Sequence, residues 1–130
     1  MMARQNIDSG TPWEAVAGYS RAVRVGDVVY VSGTTAHDEL GQLHGGEDAY
    51  AQTVYILNKI ATALGQVGAS LQDVVRTRAY VVHLDDWRAV ARAHGEVFGQ
   101  IRPANTLIQV AGLVDGGPLV EIEADAVIQH

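Results

Sequence analysis

The stretch LVEIEADAVI (119–128) alternates residue by residue. Val120, Ile122, Ala124, Ala126 and Ile128 fall on one face, and Leu119, Glu121, Glu123, Asp125 and Val127 on the other. A period of two is that of a strand with one buried side. Val74 to Val82 repeats the pattern, with Val75, Thr77, Ala79 and Val81 opposite Arg76, Arg78 and Tyr80. SRAVRVGDVVYVS (20–32) reads as two strands joined at Gly26-Asp27, a hairpin signal between β-branched runs. Four glycines with Asp and His mark residues 33–46 as a loop.

From Glu47 to Leu64 the spacing changes. Tyr50, Val54, Leu57, Ala61 and Leu64 recur at helical intervals, and Ile56, Ile60 and Ala63 widen the stripe. Gly65 and Gly68 end this helix, and Ser70 to Asp73 can cap a short turn. A second helix, capped by Asp85 or Asp86, carries the stripe Trp87, Val90, His94, Val97 and Phe98 and stops at Gly99. Pro103 opens a strand over 105–111, and VDGGP (114–118) turns into the last one. The order β-β-α-β-α-β-β, with a hairpin at each end, predicts one α+β domain: a mixed sheet with both helices on one face. The opposite face keeps Val28 and Tyr30 uncovered, which predicts self-association.

Composition narrows the chemistry. The chain has 48% hydrophobic and 18% charged residues, the balance of a packed domain rather than a disordered one. It has no cysteine, so disulfides, thiolate nucleophiles and cysteine-ligated metals are excluded, and a reducing, cytoplasmic setting is the expectation. No stretch reads as a secretory signal or approaches the ~18 apolar residues of a membrane span. A net charge of −6 argues against a nucleic-acid partner.

Three carboxylates, Glu121, Glu123 and Asp125, stand on one face of the last strand, about 7 Å apart at strand spacing. Like charges so placed raise one another's pKa unless cations answer them, and Arg76 and Arg78 are positioned to do so. Glu123 and Asp125 read as an ion-pair ladder. Glu121, nearest the VDGGP turn at the sheet's end, is the candidate for a working carboxylate, as a base for water or a binder of a ligand amine. Tyr19 brings a phenol to the edge of the first hairpin. His37, Asp38 and His44 share a loop but match no metal motif, so they read as solvated and no metal is expected. His94 reads as a hydrogen-bonded core or interface histidine. Neither a GxGxxG nor a phosphate-binding GxxxxGK[ST] run occurs.

Taken together, GYSRAVRVGDVVYVSGTTA, LQDVVRTRAYVVHLDDW, RPANTLIQV and VEIEADAV, in this order, resemble the Rid family of reactive intermediate deaminases, also called YjgF-like proteins. The resemblance covers residues 15–129. It implies a chorismate-mutase-like fold with a six-stranded mixed sheet. It also implies a homotrimer whose sheets form a central barrel, with ligand clefts between subunits. The implied activity is cofactor-independent hydrolysis of 2-imino and enamino acids to 2-keto acids and ammonia. The family's water-activating glutamate matches Glu121, its G-x-Y-S tyrosine resembles Tyr19, and its V-S-G serine matches Ser32. The arginine that grips the substrate carboxylate does not match. Its place in the R-P-A-x-T run holds Asn105, and an asparagine of the second helix is replaced by Ala91.

An asparagine is uncharged and shorter than arginine, so losing the bidentate contact costs about 2–4 kcal/mol, a factor of roughly 30 to 1,000 in kcat/KM. Arg102, Arg21 and an arginine of a neighbouring subunit are the candidates for the missing charge. The expected function is therefore a trimeric imine or enamine hydrolase acting on a small metabolite other than a simple 2-imino acid. A non-catalytic ligand-binding or regulatory trimer is the alternative. The ribonuclease activity attributed to some members sits poorly with the acidic charge.

Overall fold

A computed structural model describes residues 3–130. Its elements are β1 (Arg4–Ile7), α1 (Pro12–Ala17), β2 (Ala22–Val25), β3 (Val28–Thr34), α2 (Ala49–Gln66), β4 (Val74–Val81), α3 (Trp87–Phe98), β5 (Ala104–Gln109) and β6 (Val120–Val127). The six strands form one sheet in the order β1-β2-β3-β6-β4-β5. All neighbours are antiparallel except β4 and β5, which run parallel. The architecture is the expected α+β one, with a short third helix, α1, beyond the two anticipated.

The sheet has two unlike faces. Val29, Val31, Thr77, Ala79, Val81, Val120, Ile122, Ala124 and Ala126 point to one side and are sealed under α2 and α3. Tyr30 is 54% exposed on the other side, among half-buried Arg78, Tyr80, Glu123 and Asp125. Arg78 lies 3.3 Å from Asp125 and 4.0 Å from Glu123, and the Tyr80 hydroxyl donates to Glu123. This is the anticipated ladder, with Arg78 answering the carboxylates and Arg76 in no ion pair.

Several local expectations are corrected. β1, RQNI, pairs with β2 along four mostly exposed residues, so backbone bonds rather than an apolar face define it. β3 runs on through Ser32 and Gly33 to Thr34, inside the stretch expected to be loop. In β4 a bulge between Val74 and Arg76 shifts the register, so Val74 is buried and Val75 is 44% exposed. The buried side of α2 is rotated from the expected stripe: Gln52 and Thr53 are fully buried, whereas Val54 is 38% exposed. Gln52 is tolerated there because its amide donates to Gly46 O at 2.7 Å and accepts from Leu119 N at 2.9 Å. Asp48 caps α2, accepting from Tyr50 N and Ala51 N. Asp86 occupies the α3 cap position without a side-chain bond, and Trp87 is 43% exposed.

A buried ion pair ties α1 to the sheet. Arg21 and Glu14 are each 4% exposed and meet at 3.3 Å. Arg21 Nη1 also donates to Gly33 O (2.7 Å) and Thr34 Oγ1 (3.0 Å), so one guanidinium, on the residue that precedes β2, joins α1 to β3. Glu14 further accepts from Ser9 N (2.9 Å), Ser9 Oγ and Thr11 Oγ1 (2.5 Å). Burial raises its pKa, but the bonds from Ser9 and Thr11 and the charge of Arg21 outweigh that and hold it below the ordinary value.

Removing one member of such a pair strands a buried charge. Arg21→Ala is expected to cost about 3–5 kcal/mol of unfolding free energy, and pairing Arg21→Met with Glu14→Leu to recover most of it, in urea titrations.

Candidate functional site

Three of the residues singled out by sequence converge. Tyr19, Ser32 and Glu121 line one cavity of about 400 Å³ together with Trp13, Arg21, Gly33, His37 and Lys59. Tyr19 comes from the turn after α1, Ser32 from the end of β3, and Glu121 from the start of β6. The strand pairing carries Glu121 to the uncovered side of the sheet, opposite Tyr80 in register.

The close approach of two backbones sets where the Glu121 carboxyl lies. A Cβ at Gly33 would collide with the Glu121 carboxylate, so glycine is required for this packing. An isolated glycine between Ser32 and Thr34 in a strand-forming run is the sequence signal that could have revealed it. Burial raises the Glu121 pKa, opposed by the charge of Arg21 and reinforced by Glu123. A carboxylate so placed is a stronger base near neutral pH than an exposed one. Ser32 Oγ donates to Ser20 O at 2.7 Å, which fixes the hydroxyl against the β2 side. The Tyr19 hydroxyl lies 3.5 Å from Arg21 Nη2.

Arg21 does not offer the free fork expected of a replacement carboxylate clamp. Its two terminal nitrogens are engaged by Gly33, Thr34, Glu14 and Tyr19, and its Nε is sealed from solvent. Lys59, on α2, is the other cation of the cavity. It donates to His37 O (2.6 Å) and Thr35 O (3.2 Å), and burial, then Arg21, push its pKa down to about 8. His37 also departs from expectation: it is 1% exposed rather than solvated, held between Thr35 Oγ1 (2.7 Å) and Asp115 (3.2 Å) against the Trp13 ring. His44 pairs with Asp38 at 2.9 Å. Among the described residues no group of three or more His, Cys, Asp or Glu side chains is placed to hold a metal ion.

Asn105 lies elsewhere. The β4–β5 register sets it beside Thr77, on the helix-covered side of the sheet, whereas Glu121 stands on the open side. Asn105 lines a separate cavity of about 530 Å³ with His94, Trp87, Leu84, Val90 and Leu107. Arg102 is in neither cavity. It follows α3 with φ of 57° and lines a shallow cleft with His94, Phe98, Gly99 and Pro103. Within one chain, then, Glu121, Tyr19 and Ser32 are brought together, and Asn105 and Arg102 are not.

Because the Gly33 backbone is extended rather than left-handed and the group it faces is a flexible carboxylate, Gly33→Ala should leave the melting temperature nearly unchanged. It should nevertheless displace Glu121 and shift its titration midpoint, as followed by carboxyl carbon NMR.

Comparison with known proteins identifies the family of this fold. Residues 10–128 match the family model described as endoribonuclease L-PSP. The 3-aminoacrylate deaminase RutC of Acinetobacter baylyi is 35% identical over 120 residues, covering 92% of this chain and 94% of that protein. An uncharacterised protein of Streptomyces coelicolor is 40% identical over 124 residues, 95% of this chain and 92% of its own length. The crystal structure of Rv2704 from Mycobacterium tuberculosis, a member of the YjgF/YER057c/UK114 family, superposes with a TM-score of 0.88 at 47% identity, covering 97% of this chain and all of that one. RidA of Psychrobacter superposes at 0.84 with 33% identity, over 95% and 99% of the two chains. The chain belongs to the endoribonuclease L-PSP family, that of the Rid and YjgF-like proteins.

Proposed function

We propose that this protein is a cofactor-independent deaminase that hydrolyses a C=N bond of a small imine or enamine metabolite other than a simple 2-imino acid. The observation that carries the reading is the half-buried Glu121 carboxyl, held against Gly33 in a cavity with Tyr19 and Ser32. The likeness to a 3-aminoacrylate deaminase supports the same class of reaction. Water adds to the imine carbon while Glu121 takes its proton. Glu121 passes that proton to the imine nitrogen to give a carbinolamine, then takes the hydroxyl proton and delivers it to the same nitrogen, so that the carbinolamine collapses to a carbonyl and ammonia. The raised pKa suits a group that must both accept and give back a proton.

The same proposal includes assembly. Glu121 and Asn105 lie on opposite faces of one sheet, so no rearrangement of side chains within a chain can unite them. A second copy, its cavity of Asn105 set against the cavity of Glu121, completes the cleft. The uncovered face with Tyr30 supplies the surface for the homotrimer that the family resemblance implies. No helix among the described residues is long and apolar enough to cross a membrane, and the small-molecule cleft needs no nucleic acid or membrane partner.

Ammonia release from a panel of freshly generated imines tests the reading. Glu121→Gln should lower turnover by about 10²–10⁴-fold. The base must be ionised, so kcat/KM should fall on acidification through a midpoint above 4.5, the ordinary carboxylate value. On 2-iminopropanoate the rate should be roughly 30 to 1,000-fold below that of arginine-bearing relatives. A rate equal to theirs would contradict the substrate assignment. Absence of turnover on every imine would favour the ligand-binding alternative.

A further inference from the structure

The cavity under α3 ends in a hydrogen-bonded chain of three side chains. Asn105 Nδ2 donates to Thr77 Oγ1 at 3.0 Å, and Thr77 Oγ1 meets His94 Nε2 at 2.8 Å. Thr77 is fully buried, and a hydroxyl has one hydrogen to give. Asn105 and His94 are its only bonding partners among the described residues, so with Asn105 donating to it, its own hydrogen is satisfied only at His94 Nε2, which places the histidine proton on Nδ1. The groups left without a partner in the chain are then one acceptor, Asn105 Oδ1, and two donors, the second Asn105 amide hydrogen and His94 Nδ1–H. His94 Nδ1 is not sealed away: Arg21 Nε is the one enclosed side-chain polar atom without a partner among the described residues.

Reversing the chain of donors does not change the result. If Asn105 were turned about, Thr77 would give its hydrogen to Oδ1 and accept from His94 Nε2–H. The free groups would then be the two amide N–H donors and an imidazole Nδ1 acceptor. Either way the neutral triad offers one acceptor beside its N–H donors and carries no charge. The rest of the cavity is apolar, walled by Leu84, Trp87, Val90 and Leu107, and contains no other ionisable side chain. Burial holds His94 toward its neutral form.

A carboxylate presents acceptors only and needs a cation or paired donors. Here it would face an unanswered acceptor in an apolar surround. A carboxamide or ureide presents a donor and an acceptor side by side and matches the triad in both of its arrangements. We propose that Asn105, Thr77 and His94 form a subsite for a neutral amide-like group carried on an apolar body, so that the substrate's recognition handle is an amide or ureide rather than a carboxylate. This rests on the proposed function in so far as the bound group belongs to the molecule that Glu121 hydrolyses.

Phenylacetamide and phenylacetate, alike in shape and different in charge, test it on the intact protein near neutral pH. Affinity is read by calorimetry and the site by the imidazole nitrogen resonances of His94. The amide should bind at least about tenfold tighter than the carboxylate and shift the His94 signals. Thr77→Val, which uncouples the triad, should erase the preference, and Asn105→Arg should invert it. Should Thr77→Val fail to fold, Asn105→Arg alone carries the test. Glu121→Gln should leave the amide preference intact while removing turnover. A preference without turnover would retain the subsite and reject the deaminase; turnover without the preference would do the reverse. Equal affinities, tighter binding of phenylacetate, or no binding of either compound would overturn the subsite.

Discussion

The Arg21 guanidinium, buried and bonded at once to α1, the end of β3 and Tyr19, is the contact on which the Glu121 cavity depends. Its charge is neutralised by Glu14, its Nη1 hydrogens are spent on the end of β3, and the chain from Ser9 to Gly18 is thereby folded back over the sheet. The short helix α1 has six residues and no side-chain N-cap bond, so it cannot be stable alone. It stays helical because the ion pair and the Ser9 and Thr11 bonds fasten Glu14 from both sides. That fastening places Trp13 and Tyr19 over Ser32, Gly33 and Glu121, and the cavity follows. Arg21 thus shapes the site and tunes the Glu121 charge without offering a free fork to a ligand.

The sheet imposes a second constraint. Side chains alternate across a strand, so a carboxylate on the open face and an amide on the helix-covered face stay on opposite sides of the sheet. The proposed assembly resolves this by setting one copy's open face against another's α3 side. It also accounts for two costs carried by the single chain. One is the exposure of Tyr30 at the centre of the open face, and the other is that of Leu84 and Trp87 at the rim of the Asn105 cavity.

Much of this was legible in the sequence, and the parts that were not share a physical cause. β6 could be read because one face is sealed and the other is not, which writes a period of two into the chain, and the β2–β3 hairpin because Gly26-Asp27 stands between β-branched runs. β1 could not, since its four residues pair through backbone and bury almost nothing. The bulge in β4 has no residue signature, so Val75 was assigned to the wrong side. Gln52 lies off the apolar stripe yet on the buried side of α2, because its amide serves as a bonding partner for both Gly46 O and Leu119 N. At the site, Glu121, Tyr19 and Ser32 were recognisable as a set. Lys59, Trp13 and Gly33 were not, because their roles arise only when α1 and α2 close over the sheet. His94 stood out on its helix, but its bond to Thr77 depends on how α3 crosses β4.

The claim on which the account turns is that the Glu121 and Asn105 cavities belong to one cleft shared by two copies. The absence of cysteine makes it directly measurable. Glu121→Cys and Asn105→Cys chains, refolded together and treated with a short bifunctional thiol reagent, should give a cross-linked pair containing one chain of each kind. Each variant alone should give little, and the double variant should link between chains rather than within one. Co-assembled oligomers that form no mixed cross-link, or a double variant that links internally, would contradict the shared cleft.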